Sequence, residues 1–235
     1  RPHIIKCQAT GKYICWIKHC GDDACFTVLQ ADRFLGPYEV VKTHYRPFNH
    51  EVGDFDITVC SDTAYLYMDA DHSGLLTMRL TTDFTEAAEK ICWQYKNLHA
   101  PFCREAPAVF SHEGKWFMLT SGMTGYVPNR SDSAAANSPD APFLSIGNPH
   151  VEDDSCASFN SQISQVFKVP SKRGLYIALA DRWVPDYPVD AKLADLLERC
   201  TAQRFDPKHY KATPEEMQHM MQSPMLSSAN TSRAD

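Results

Sequence analysis

A phrase that returns roughly every 50 to 60 residues, the length of one propeller blade, constrains the fold of this chain more than any other feature. An extended apolar segment is followed by a short polar turn, a Gly-Lys-Tyr-like start and a second apolar strand. The phrase occupies residues 2–7 with Gly11-Lys12-Tyr13-Ile14-Cys15-Trp16, and residues 57–60 with Thr63-Ala64-Tyr65-Leu66-Tyr67. It returns at residues 106–110 with Gly114-Lys115-Trp116-Phe117, and at residues 166–169 with Gly174-Leu175-Tyr176-Ile177. Each copy reads as a β-hairpin, so the chain is expected to be all-β and built from repeated small sheets. Between the hairpins, residues 25–30 and 75–80 carry the β-rich alternation of further strands. Gly36-Pro37-Tyr38 and Ala141-Pro142-Phe143 each introduce another strand after a turn. An antiparallel sandwich is the competing all-β reading, but its strands space at roughly 8–12 residues with no blade-length repeat.

Composition narrows the partners. The 235 residues are 43% apolar and 22% charged, ordinary for a globular domain with a sizeable core, and the chain reads as a single domain over residues 1–235. A formal net charge of -6 offers no basic stripe for phosphate backbones, so nucleic acid is not an expected partner. No apolar run approaches the roughly 20 residues that cross a bilayer, so no membrane span is expected either. Nine cysteines, an odd number without a Cys-x-x-Cys pair, read as reduced and partly buried thiols, which favours a cytoplasmic compartment. No metal ligand set and no cofactor motif is seen.

Residues 131–140, rich in Ser, Ala, Asn and Asp, read as an exposed loop. Beyond Trp183 the character changes. Asp190 is placed to cap a helix with Leu193, Leu196, Leu197 and Cys200 on one face, and Thr213-Pro214-Glu215-Glu216 is a capping box before a Met-rich second helix. These predict a helical insert over about residues 190–226.

The chemistry centres on residues 104–129. Arg104-Glu105-Ala106-Pro107-Ala108 leads into an aromatic hairpin, which ends in Thr120-Ser121-Gly122-Met123-Thr124-Gly125-Tyr126-Val127-Pro128-Asn129. A carboxyl among apolar and aromatic groups is desolvated, and its raised pKa suits it to donate a proton near neutrality. The alternative is a surface Glu105 paired with Arg104.

This run resembles the general-acid segment of glycoside hydrolase family 43, most of all its exo-β-1,3-galactanase branch, and further matching segments lie in the same order from Arg1 to about Trp183. The resemblance implies a five-bladed β-propeller and hydrolysis of an oligosaccharide or polysaccharide, β-galactan or a related plant or host glycan, by single-step inversion. It also implies that this chain begins after the first blade and stops before the last strand. Glu105 matches the general acid. Asp56 matches the aspartate that orients the acid and tunes its pKa, although Phe55 stands where the family commonly has Arg, which leaves Asp54 as the other candidate. Gln162, in Ser161-Gln162, matches the glutamine that the galactanase branch is proposed to use as base through its imidic tautomer; a purely structural amide is the alternative. Thr124, Gly125, Tyr126 and Asn129 resemble the loop lining the sugar subsite, and Asp181-Arg182-Trp183 resembles the family's closing phrase. His3 occupies a position where the family often has Lys or His, and a structural role is its alternative. β-Xylosidase or α-L-arabinofuranosidase activity, or a glycan-binding propeller without catalysis, are the competing functions.

Overall fold

The computed structural model describes residues 2–182 apart from residues 22, 99–101 and 126. Tyr126, Trp183 and the expected helices over about residues 190–226 lie outside the described residues. Within them the regular structure is all strand apart from one short helical turn at Pro47–Asn49. The first sheet holds β1 (Pro2–Lys6), β2 (Tyr13–His19), β3 (Cys25–Ala31) and β4 (Glu39–Tyr45) in sequence order. β5 (Val52–Cys60), β6 (Thr63–Ala70), β7 (Leu75–Leu80) and β8 (Ala87–Gln94) make the second. β9 (Arg104–His112), β10 (Lys115–Gly122), β11 (Ser131–Ala136) and β12 (Leu144–Gly147) make the third, and β13 (Ser161–Lys168) pairs with β14 (Tyr176–Arg182). Every pairing is antiparallel between consecutive strands, so each sheet is a meander.

The four hairpins expected from the repeat are β1–β2, β5–β6, β9–β10 and β13–β14. Two-residue turns fix the register of β5–β6 and β9–β10. Glu113 and Gly114 both have positive φ between the paired residues His112 and Lys115, which suits a two-residue turn that follows the right-handed strand twist. β3 and β7 fall on the further strands expected at residues 25–30 and 75–80, and the two X-Pro-aromatic phrases lead into β4 and β12.

One expectation fails. Residues 131–136 form the mostly buried strand β11 rather than an exposed loop. Their side chains are small enough to fit between β10 and β12, and the polar atoms find partners: the Ser145 hydroxyl donates to the Asp132 carboxylate at 2.8 Å, and the Ser133 hydroxyl donates to the Gly147 carbonyl at 2.6 Å. A buried polar strand is tolerable when its hydrogen bonds are made, which composition alone does not reveal.

The first strands of successive sheets lie next to one another, β1 by β5, β5 by β9 and β9 by β13. Apolar layers fill the spaces between the sheets. Trp16, Phe26 and Phe55 interlock edge to face between the first two, with ring centroids 5.1 and 4.7 Å apart, and the Trp16 indole donates to the Phe84 carbonyl at 2.9 Å. Burying each such ring stabilises the fold by about 1.5–3 kcal/mol. Tyr67, Val109, Met118 and Phe143 form the next layer, where the Tyr67 hydroxyl donates to the Pro139 carbonyl at 2.7 Å. The layer beside β13 is thinner, with Ala108, Ile163 and Val166 at its centre.

Candidate active site

β9 begins with a buried cation. Arg104 turns away from Glu105: its guanidinium donates to the Thr120 hydroxyl at 2.9 Å, the Thr120 carbonyl at 2.8 Å and the Arg130 carbonyl at 3.1 Å. This clamps both ends of the loop between β10 and β11, and the surface pair of Arg104 with Glu105 is not formed. Immediately after Glu105 the ladder slips. Ala108 pairs with Leu119 but Glu105 with Ser121, so Ala106 and Pro107 together oppose Thr120. Ala106 takes φ +50, and Pro107 lacks the N–H that a regular ladder would need. The bulge sets the direction of Glu105 separately from the rest of β9.

Two other strands do the same. β5 slips between Val52 and Phe55, leaving Gly53 and Asp54 opposite Asp69 of β6, and β13 slips between Ile163 and Gln165, just after Gln162. The three displaced ends converge. The Gln162 amide donates to Glu105 Oε1 at 2.9 Å. Asp54, Glu105, Gln162 and Asp181 line one cavity of about 580 Å³, together with Lys18, whose ammonium lies 3.3 Å from Asp54. That volume lies in the range of roughly 300–1,000 Å³ typical of small-molecule sites.

Burial pushes the pKa of Glu105 up to about 7, and the nearby carboxyls of Asp54 and Asp69 push the same way, while the Gln162 amide and His72 oppose them. An acid so placed is half protonated near neutrality and suited to give a proton to a leaving oxygen. Gln162, by contrast, touches the acid directly. In an inverting glycosidase the acid and base stand roughly 6.5–9.5 Å apart, with the sugar and a water between them. In this arrangement Gln162 is the hydrogen-bond partner of Glu105, and the base role expected for it would require the two side chains to part around a sugar and a water.

Asp56 is not in the cavity. It is 3% exposed, and it accepts from the Ile57 N–H at 2.8 Å and from the Val109 N–H at 2.6 Å, with His3 Nδ1 at 3.2 Å. His3 is likewise buried, packed on Phe55 at 4.6 Å. The two form a polar tie across β1, β5 and β9, and Asp54 is the β5 carboxylate that faces the cavity with Glu105. The reason is the bulge at Gly53–Asp54, which resets the alternation just before Phe55.

Within the expected sugar-binding loop, Gly125 lines the cavity, as does Met123. Thr124 and Asn129 hold the loop's own shape: the Thr124 hydroxyl donates to Asn129 Oδ1 at 2.6 Å, and the Asn129 amide donates to the Val127 carbonyl at 2.9 Å. Asp181 pairs in register with Gln162 and reaches the cavity, whereas Arg182 pairs with Ser161 on an exposed stretch and does not line it. Among the described residues no group of three or more His, Cys, Asp or Glu side chains is arranged to hold a metal ion. Sequence reasoning missed His72, which lines the cavity from the turn after β6, and Asp69, which holds it. Asp69-Ala70-Asp71-His72-Ser73-Gly74 reads as a plain turn; the signal available was a carboxylate and an imidazole three residues apart.

No protein-family profile and no curated protein matches the chain, but many solved structures do. A family 43 β-1,3-galactosidase superposes with a TM-score of 0.68 at 28% identity, over 79% of this chain and 39% of that one. The architecture is that of glycoside hydrolase family 43. Two further family 43 structures match the fold, exo-β-1,3-galactanases from Phanerochaete chrysosporium, with β-1,3-galactotriose, and from Clostridium thermocellum. Their TM-scores are 0.67 and 0.66 at 23% and 21% identity, covering 79% and 78% of this chain and 42% of each of theirs. The chain therefore spans less than half the length of these three family 43 proteins, and its successive four-stranded meanders are blades of their β-propeller.

Proposed function

We propose that this chain supplies the proton-donating part of a glycosidase site that hydrolyses β-1,3-linked galactosyl bonds of plant or host glycans by single-step inversion. One observation carries the reading. Glu105 is a half-buried carboxyl whose pKa lies at about 7, set at a bulge in the wall of a cavity and fixed there by the Gln162 amide at 2.9 Å. Asp54 keeps the proton on Glu105 by like-charge proximity, and the paired Lys18 holds Asp54 in place. The substrate class comes from the likeness to the family 43 β-1,3-galactosidase, the match at the highest identity among those named above.

The decisive experiment compares two leaving groups. In the full-length protein, Glu105→Gln keeps the shape of the side chain but removes its proton. Cleavage of β-1,3-galactobiose should fall by about 10²- to 10⁴-fold, the usual worth of general-acid assistance. Hydrolysis of a dinitrophenyl β-galactoside, whose leaving group needs no proton, should fall far less. Equal losses on both substrates would remove Glu105 from the acid role. A wild-type protein that binds the disaccharide without cleaving it would favour a glycan-binding propeller.

A further inference from the structure

Asp69 and His72 form a unit whose charges act on Glu105 but whose hydrogen-bonding groups the proton transfer does not use. Asp69 is the penultimate residue of β6 and has no solvent exposure. Its Oδ2 lies 2.6 Å from His72 Nδ1, and its Oδ1 has no hydrogen-bond partner in the structure. The slot for this carboxyl depends on Gly53 across the bulge, because a Cβ there would come within 2.2 Å of Asp69 Oδ2. A buried carboxyl with one bare oxygen lowers stability, so packing alone does not account for it. What the carboxyl does is fix an imidazole. His72 sits at φ +49 in the turn, its side chain is 53% exposed, and it lines the same cavity as Glu105.

We propose that His72, oriented by Asp69, is a substrate-binding residue whose Nε2 hydrogen-bonds a hydroxyl of the sugar in this cavity. The inference rests on the galactoside reading above. With Nδ1 committed to Asp69, Nε2 is the ring nitrogen left for a ligand. Burial pushes the Asp69 pKa up and the Asp69 carboxylate pushes the His72 pKa up, so the pair retains its shared proton toward neutrality. A hydroxyl both donates and accepts, and so complements Nε2 in either protonation state. The remaining charge on the wall argues against an anion: Asp54, Asp181, Glu51 and Glu105 face the cavity, and Lys18 is already engaged by Asp54. A neutral polyol is the ligand that such a surface takes.

The test is calorimetric titration of the full-length protein with the non-hydrolysable sulfur-linked analogue of β-1,3-galactobiose and a set of its monodeoxy derivatives, using wild type and His72→Ala. His72→Ala should weaken the disaccharide roughly tenfold, the worth of one hydrogen bond near a charge. One deoxy analogue should bind wild type about tenfold more weakly and show no further loss on the variant, and Asp69→Asn should reproduce part of the defect. Independently of any variant, the imidazole resonances of His72 in the wild-type protein should move when the disaccharide is added. Equal affinity of wild type and His72→Ala, identical deoxy losses on both, or stationary His72 resonances would overturn the inference while leaving the galactoside reading intact. Absence of any binding to wild type would overturn both.

Discussion

Asp56 and Glu105 stand on adjacent strands, both are carboxyls taken largely out of water, and the two ends of the β5–β9 pair use them in opposite ways. At the core end, Asp56 gathers the Ile57 and Val109 N–H groups and the His3 ring, three partners within 3.2 Å from three strands. At the cavity end, Glu105 has the Gln162 amide as its hydrogen-bond donor and two carboxyls, Asp54 and Asp69, as electrostatic neighbours. The number and sign of the partners decide what burial does. A carboxylate with enough donors becomes a tie between sheets, and one with too few becomes a proton store.

The comparison breaks most visibly if the tie is cut. Asp56→Ala strands the Val109 N–H and the His3 ring in the core, and should lower stability by about 3–5 kcal/mol, read from the shift of the urea midpoint. A loss under roughly 1 kcal/mol would mean that water or a rearranged side chain replaces the carboxylate, and the contrast between the two ends would lapse.

A subtler test measures the proton store without any substrate. The folded-state pKa of Glu105, about 7, lies above the ordinary glutamate value of 4.5. Between those values the folded state binds the proton more tightly than the unfolded chain does. Its contribution to stability is therefore fully present below the unfolded value and is lost as pH rises to about 7. Glu105→Gln abolishes that slope, so the stability of the variant relative to wild type should rise from pH 4.5 to pH 7 by on the order of 3 kcal/mol and then level off. Parallel pH profiles for the two proteins in denaturant melts would contradict the assignment.

The smallest effect should come from Gln162→Ala. Removing a donor that favours the charged form should raise the Glu105 pKa further, moving the alkaline limb of the pH–rate profile upward by less than about one unit, with about 1 kcal/mol of stability lost. A limb that moves downward would mean that Gln162 favours the protonated acid.

Much of the fold was legible because blade hairpins write their strands in β-branched and aromatic residues joined by short turns. The strands that escaped were those that obey other rules. β11 hides in Ser and Ala because its neighbours leave little room, and β8, half exposed with Glu89 and Lys90 at its centre, has the composition of a surface. The motifs around Glu105 and Gln162 stood out in the sequence, but the contact between the two side chains did not. The choice between Asp54 and Asp56 was not, since both lie on one short strand and only the slip at Gly53 decides which reaches the cavity. His72 was obscured for a related reason: its role depends on a carboxyl that fits only where Gly53 lacks a side chain, a relation between two strands that linear spacing does not display.

The bulges also bear on a problem intrinsic to a ring of like blades. Repeated sheets around an axis tend toward rotational symmetry, and a symmetric centre would present the same kind of group from every side, whereas a proton donor must differ from what it faces. Here β1 pairs with β2 without a slip and contributes no residue to the cavity wall, while β5, β9 and β13 each slip once and deliver a carboxyl, an acid and an amide. Asymmetry at the centre thus arises from the count of residues in three strands, so that gaining or losing one residue at such a point could change which group faces the axis while the blades around it stay alike.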